Sequence, residues 1–112
     1  MVLLLRSRLP YDVAMQTFVV LSGPGSRRDL TKDARSQELW DEHAAHIDSH
    51  VANGMIVMGG PLLDTQGALL VVQAEDEAAV RAMLDADPWY SAQILTLERV
   101  APWQIFIDEP RR

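Results

Sequence analysis

Cysteine is absent from this chain of 112 residues, so disulfides, thiol nucleophiles and cysteine-ligated metals are excluded. Positive charge is also short: 10 Lys and Arg against 16 Asp and Glu give a net charge of −6. An acidic surface repels phosphate backbones, and no basic aromatic patch offsets it, so nucleic-acid binding is not expected. Long hydrophobic runs are missing, and none approaches the length needed to span a bilayer. The expectation is a cytoplasmic protein with no membrane partner. Hydrophobic residues at 48 % and charged residues at 23 % give an ordinary globular balance, which argues against disorder. The length suits one domain with one modest core.

Residues 1–15 read as an N-terminal extension, and residues 16–112 as the domain. The apolar run at residues 2–5 is followed by two arginines and Pro10. It is too short for a signal-peptide core and lacks a small-residue cleavage site. An added edge strand or a loose arm is expected there.

Residues 17–21 (TFVVL) are β-branched and aromatic and predict a buried strand. A Gly- and Pro-containing loop follows, carrying Arg27 and Arg28, which read as a solvated pair more readily than as an anion site. A helix is expected from Asp33 to a C-terminal Gly54. Strands at 55–59 and 68–74 flank a turn at 61–67, suggesting an antiparallel hairpin. A second helix at 76–86 is capped by Asp76 and ended by Asp87-Pro88, and Trp89-Tyr90 is expected at a corner outside regular helix. A fourth strand covers 94–100. Pro102 interrupts it, and residues 103–107 are expected to continue as an edge or exchanged strand.

The order β-α-β-β-α-β predicts an α+β, ferredoxin-like fold with an antiparallel sheet. Both helices cover one sheet face. The strand at 68–74 is apolar at nearly every position, so its outward side also needs a cover. With no third layer in the chain, a homodimer or higher homo-oligomer is expected.

The three histidines, His43, His46 and His50, share the first helix. With His43 at zero, His50 falls at about −20° and His46 at about −60°, whereas Trp40, Ala44, Ile47 and Val51 lie between about 40° and 100°. The histidines border the apolar stripe, where an imidazole can be half-desolvated and still reach a cleft. The plain alternative is a solvated or structural helix edge. His46 and His50 have zinc-compatible i,i+4 spacing, but no glutamate completes an HExxH pattern, and no metal is expected. Asp64 follows a Gly-Gly-Pro break and is the carboxylate a strand end would bring to His43; its plain reading is a turn residue. The tryptophans read equally as core or as walls of an apolar pocket.

Taken in order, the FVVL strand, His43 eleven residues before Gly54, GGPLLD, GALLVVQAED, ADPW and a closing APW resemble the YCII-related (YciI-like) domain family. The resemblance covers residues 16–107. It implies a dimeric α+β barrel of ferredoxin-like subunits, each with a cleft, and a His–Asp catalytic pair carried over to His43 and Asp64. The family's Asp-Pro-aromatic step matches Asp87, Pro88 and Trp89. Members commonly place Ala-Gly after it, whereas this chain has Ala92-Gln93. A related branch dehydrochlorinates hydroxylated aromatics.

The expected activity is a small, cofactor-independent enzyme of lyase or isomerase type acting on a small molecule, aromatics included. His43 is its general base or acid and Asp64 the orienting carboxylate. Trp40, Pro61, Asp87 and Trp89 are expected to contact the substrate. The alternative is a non-catalytic ligand-binding or accessory dimer.

Overall fold

Alternating β-branched and aromatic residues set the first strand, β1, at Gln16–Pro24, in the computed structural model, which describes residues 15–109. The extension at 1–14, including its expected edge strand, lies outside the described residues. Strands β2 (Ile56–Pro61), β3 (Ala68–Ala74) and β4 (Leu95–Pro102) complete one antiparallel sheet in the order β2-β3-β1-β4. Helix α1 spans Trp40–Ala52, α2 spans Glu77–Asp85 and a short α3 spans Pro88–Ser91. The chain therefore has the ferredoxin-like βαββαβ order that its patterning predicts.

Three local expectations are corrected. The first helix does not begin at Asp33. The Asp33 side chain accepts from Ser36 N–H and starts a 3-10 turn, Ala34–Ser36. Leu39 then adopts a left-handed backbone, φ 61°, which breaks the path before α1 begins at Trp40. Trp89 and Tyr90 are helical, in α3, because Pro88 presets φ at the first helical position and Asp87 caps it. Residues 103–107 form no strand, although Trp103 N–H still donates to Thr17 O.

Period-two alternation divides the sheet. Phe18, Val20, Val72 and Ala74 point to the helical side and join Ile56, Val80, Met83, Leu84 and Val100 in the core. Burying one such aliphatic side chain contributes about 1.5–3 kcal/mol. Val80, Met83 and Leu84 lie three and four apart, so one face of α2 supplies them. A second cluster, Trp89, Ile94 and Leu95, packs under the 3-10 turn and the start of α1. Between the two clusters, at one end of the sheet, lies the cleft.

Candidate active site

His43 sits in the first turn of α1, and its ring reaches across to the start of α3. Its Nδ1 lies 2.8 Å from Oδ2 and 3.0 Å from Oδ1 of Asp87. Asp87 is buried to 1 % exposure, and His43 keeps 12 % of its side chain exposed. Asp87 Oδ1 also accepts the Trp89 backbone N–H at 2.9 Å. A carboxylate only accepts, so Nδ1 carries the ring hydrogen, and in the neutral ring the lone pair is on Nε2. Among the described residues, Nε2 has no hydrogen-bond partner.

Trp89 fixes the ring from its face. The two ring centroids are 3.8 Å apart and nearly parallel, at 6°. Trp89 is held in turn by its indole N–H, which donates to Glu38 O at 2.7 Å. Trp40 completes an aromatic corner at 5.8 Å from His43 and 5.7 Å from Trp89. An imidazolium formed at His43 is therefore met by a carboxylate on one edge and an aromatic face on one side.

The cleft measures about 690 Å³, within the size range of small-molecule sites. Trp40, His43 and Ile47 wall it from α1. Gly59, Gly60 and Pro61 line it from β2, and Asp87, Trp89 and Tyr90 from α3 and its cap. Arg28 and Arg35 enter it from the loop after β1. The Tyr90 hydroxyl lies 2.6 Å from the buried Ser22 hydroxyl. Burial, and secondarily the Asp87 charge, push the Tyr90 phenol up to about 12 against the opposing effect of that hydrogen bond.

Of the residues singled out from the sequence, Trp40, His43, Pro61, Asp87 and Trp89 converge on this cleft. The pairing of His43 with Asp64 is corrected: the carboxylate on the imidazole is Asp87. Strand β2 runs back along α1 and brings Pro61 to the cleft, but the chain then turns through residues 62–67, where Leu62 N–H bonds to Gly67 O. Asp64 lies at the exposed tip of that turn. The sequence marks Asp87 as the step that ends the second helix and as a cleft residue; its cap on α3 and its contact with His43, 44 positions away, come from the fold.

The other histidines do not face the cleft. His46 Nε2 lies 2.8 Å from Met83 O, tying α1 to α2, and its ring meets His50 edge-on at 4.7 Å. His46 is thus a structural contact at the helix edge. Desolvation, then the charge of His46, lower the His50 pKa. Among the described residues no cluster of His, Asp and Glu is arranged to hold a metal ion. No helix there is long and apolar enough to cross a membrane.

No curated protein matches this chain. Among solved structures, it is similar to 5-chloro-2-hydroxyhydroquinone dehydrochlorinase from Burkholderia phenoliruptrix AC1100, in complex with 2,5-dihydroxybenzoquinone. The TM-score is 0.53 at 22 % identity, over 78 % of this chain and 93 % of that one. That likeness is one of fold. In sequence, residues 17–104 match the YCII-related domain, which spans both sides of the cleft, so the chain belongs to the YCII-related domain family.

Proposed function

We propose that the protein is a cofactor-independent enzyme of lyase or isomerase type, moving a proton on a small, planar molecule bound in the cleft. The observation that carries this reading is the His43–Asp87 pair, with Nδ1 fixed on a buried carboxylate and Nε2 left for the cleft. His43 Nε2 takes a proton from a hydroxyl or an activated C–H, and Asp87 steadies the resulting imidazolium. The proton is then returned to another atom of the substrate or released to solvent. In a dehydrochlorination of a chlorinated hydroquinone, a proton taken from one hydroxyl is matched by protonation of the chlorine-bearing ring carbon, giving the keto tautomer. Loss of a second hydroxyl proton then sends its electron pair through the ring and expels chloride from that carbon, so that HCl is lost with no redox change.

Half-buried Trp40 suits a flat ligand, because an indole offers apolar area at low conformational cost, while buried Trp89 backs the imidazole. The loss of HCl named for the similar dehydrochlorinase is one reaction such a base serves, and it extends to this chain as a class of reaction. Incubation with 5-chloro-2-hydroxyhydroquinone should release chloride, and His43→Gln should abolish release while the fold is retained. Full turnover by a folded His43→Gln would overturn the reading. Binding of 2,5-dihydroxybenzoquinone without turnover of any hydroxylated aromatic would favour a ligand-binding role instead.

The assembly belongs to the same proposal. Val19 faces Val71 and Leu21 faces Leu69 across β1 and β3, on the side of the sheet away from the helices. Exposed Met58 continues the strip on β2, and Phe106 and Ile107 are exposed beyond β4. A second copy covering this face gives a homodimer. Sedimentation at micromolar concentration giving one-chain mass would contradict it. A cysteine-free chain suits a cytoplasmic setting.

A further inference from the structure

The two adjacent arginines of the loop after β1 have different fates. Arg27 is exposed, lies outside the cleft and pairs with Glu38 at 3.7 Å. Arg28 is half-buried and lines the cleft together with His43. Its Nε donates to Gln66 Oε1 at 3.3 Å, and Gln66 Nε2 donates onward to Leu30 O at 3.1 Å. Gln66 holds this position on a left-handed backbone, φ 64°, at the end of the β2–β3 turn. The turn thereby clamps the stem of the guanidinium and leaves its terminal amino groups for the cleft.

The local charges favour an anion there. The ion pairs of Arg and Lys among the described residues use Arg27, Lys32 and Arg81, and none uses Arg28. Asp33 is the other carboxylate on that wall; its charge acts on Arg28 without forming an ion pair with it, and its Oδ1 accepts the Ser36 N–H at 3.0 Å. Arg35 adds a second cation at the rim. The whole chain is acidic, at −6, and repels anions in general. A cationic wall in such a protein is therefore selective and not a by-product of bulk charge. Desolvation at the cleft lowers the Arg28 pKa, with Asp33 opposing, which accords with a partly dry guanidinium.

We propose that Arg28 anchors an anionic oxygen group, a carboxylate or an enolate, on a planar ring whose reacting edge lies at His43. The cleft then selects small conjugated anions over neutral molecules of the same shape. A guanidinium fork matches two coplanar oxygens, and its hydrogen bonds to a charged acceptor are the strong kind. The inference rests on the cleft being the small-molecule site, and it names the substrate's charge and shape. Gln66 is a positioning residue, acting through Arg28.

The test is a titration with benzoate and with its neutral isostere benzamide, following the indole N–H resonances of Trp40 and Trp89. The wild-type protein should bind benzoate more tightly. Arg28→Gln should weaken benzoate by about tenfold or more, to the level of benzamide, whose own affinity stays the same. Gln66→Asn, which tolerates the left-handed backbone but is too short to reach Arg28, should give a partial loss for benzoate alone. Arg27→Gln should change neither. No preference for benzoate in the wild type, an equal loss of both ligands in Arg28→Gln, or the same loss in Arg27→Gln would overturn the proposal. The readout needs no turnover. A His43→Gln protein that keeps the benzoate preference leaves this inference standing, whatever becomes of proton transfer.

Discussion

Asp87 and His43 are joined by a carboxylate that also caps a helix. Its Oδ2 lies 2.8 Å from the imidazole, while Oδ1 accepts the N–H that begins the helix carrying Trp89. One side chain thus sets both the edge and the face of the histidine ring. Substitutions at either residue should separate chemistry from folding in different proportions.

Asp87→Asn keeps an acceptor for the Trp89 N–H but presents an amide N–H to His43. Nδ1 must then accept, and the ring hydrogen moves to Nε2, the wrong nitrogen for a base. Nitrogen chemical shifts of His43 should report the tautomer exchange. Turnover in the proposed reaction should fall by about 10²–10⁴. The lost charge-assisted bond should cost about 1–3 kcal/mol in chemical denaturation.

Tyr90→Phe should cost about 1–2 kcal/mol at neutral pH, because it leaves the hydroxyl of Ser22, itself 2 % exposed, without its partner. It should also alter the alkaline limb of stability. The wild-type phenol is raised from 10.0 to about 12 on folding, so the native state holds its proton longer than the unfolded chain. Stability from this group is present below pH 10 and is lost as pH rises toward 12. Denaturation midpoints across that window should fall less steeply in the variant.

His50 supplies the opposite dependence at mildly acid pH. Its pKa is lowered from 6.5 by desolvation and then by His46, so the unfolded chain binds the proton more readily. Stability should be highest above pH 6.5 and should decline as pH falls through that value toward the lowered native pKa. His50→Gln should flatten this part of the profile. An unchanged slope would mean that the α1–α2 contact does not sense the charge.

Gln93→Gly should stabilise the fold by about 0.5–1 kcal/mol, since Gln93 has φ 63° and glycine takes that conformation without a Cβ penalty. Gly25 gives the converse case. A Cβ at Gly25 would fall 2.1 Å from the carbonyl oxygen of Gln93. That approach serves the bond from Gly25 N–H to Ile94 O, so Gly25→Ala should destabilise by about 1–3 kcal/mol. Thermal melts of the two variants should move in opposite directions.

The strand at Ala68–Ala74 and the cap–face pattern of Glu77–Asp85 were legible because period-two and period-three-to-four hydrophobicity are local properties. The start of α1 was not legible. Asp33 carries a good cap signal, but the chain spends it on a 3-10 turn before a left-handed leucine. Position 93 is left-handed in this chain, φ 63°, although glutamine and not glycine occupies it.

Residue types and local spacing are enough to show which side chains can carry chemistry and which elements hold them: His43 on a helix, Asp87 before Pro88, Trp40 and Trp89 beside them. It takes the folded chain to bring Asp87 and not Asp64 to His43, and to turn Arg28 but not Arg27 into the cleft. Both choices depend on where chain segments dozens of residues apart come to rest. The turn at residues 62–67 carries Asp64 out to solvent, while Gln66 in the same turn reaches back to hold Arg28. Nothing in local periodicity encodes which of two neighbouring side chains a distant loop will clamp.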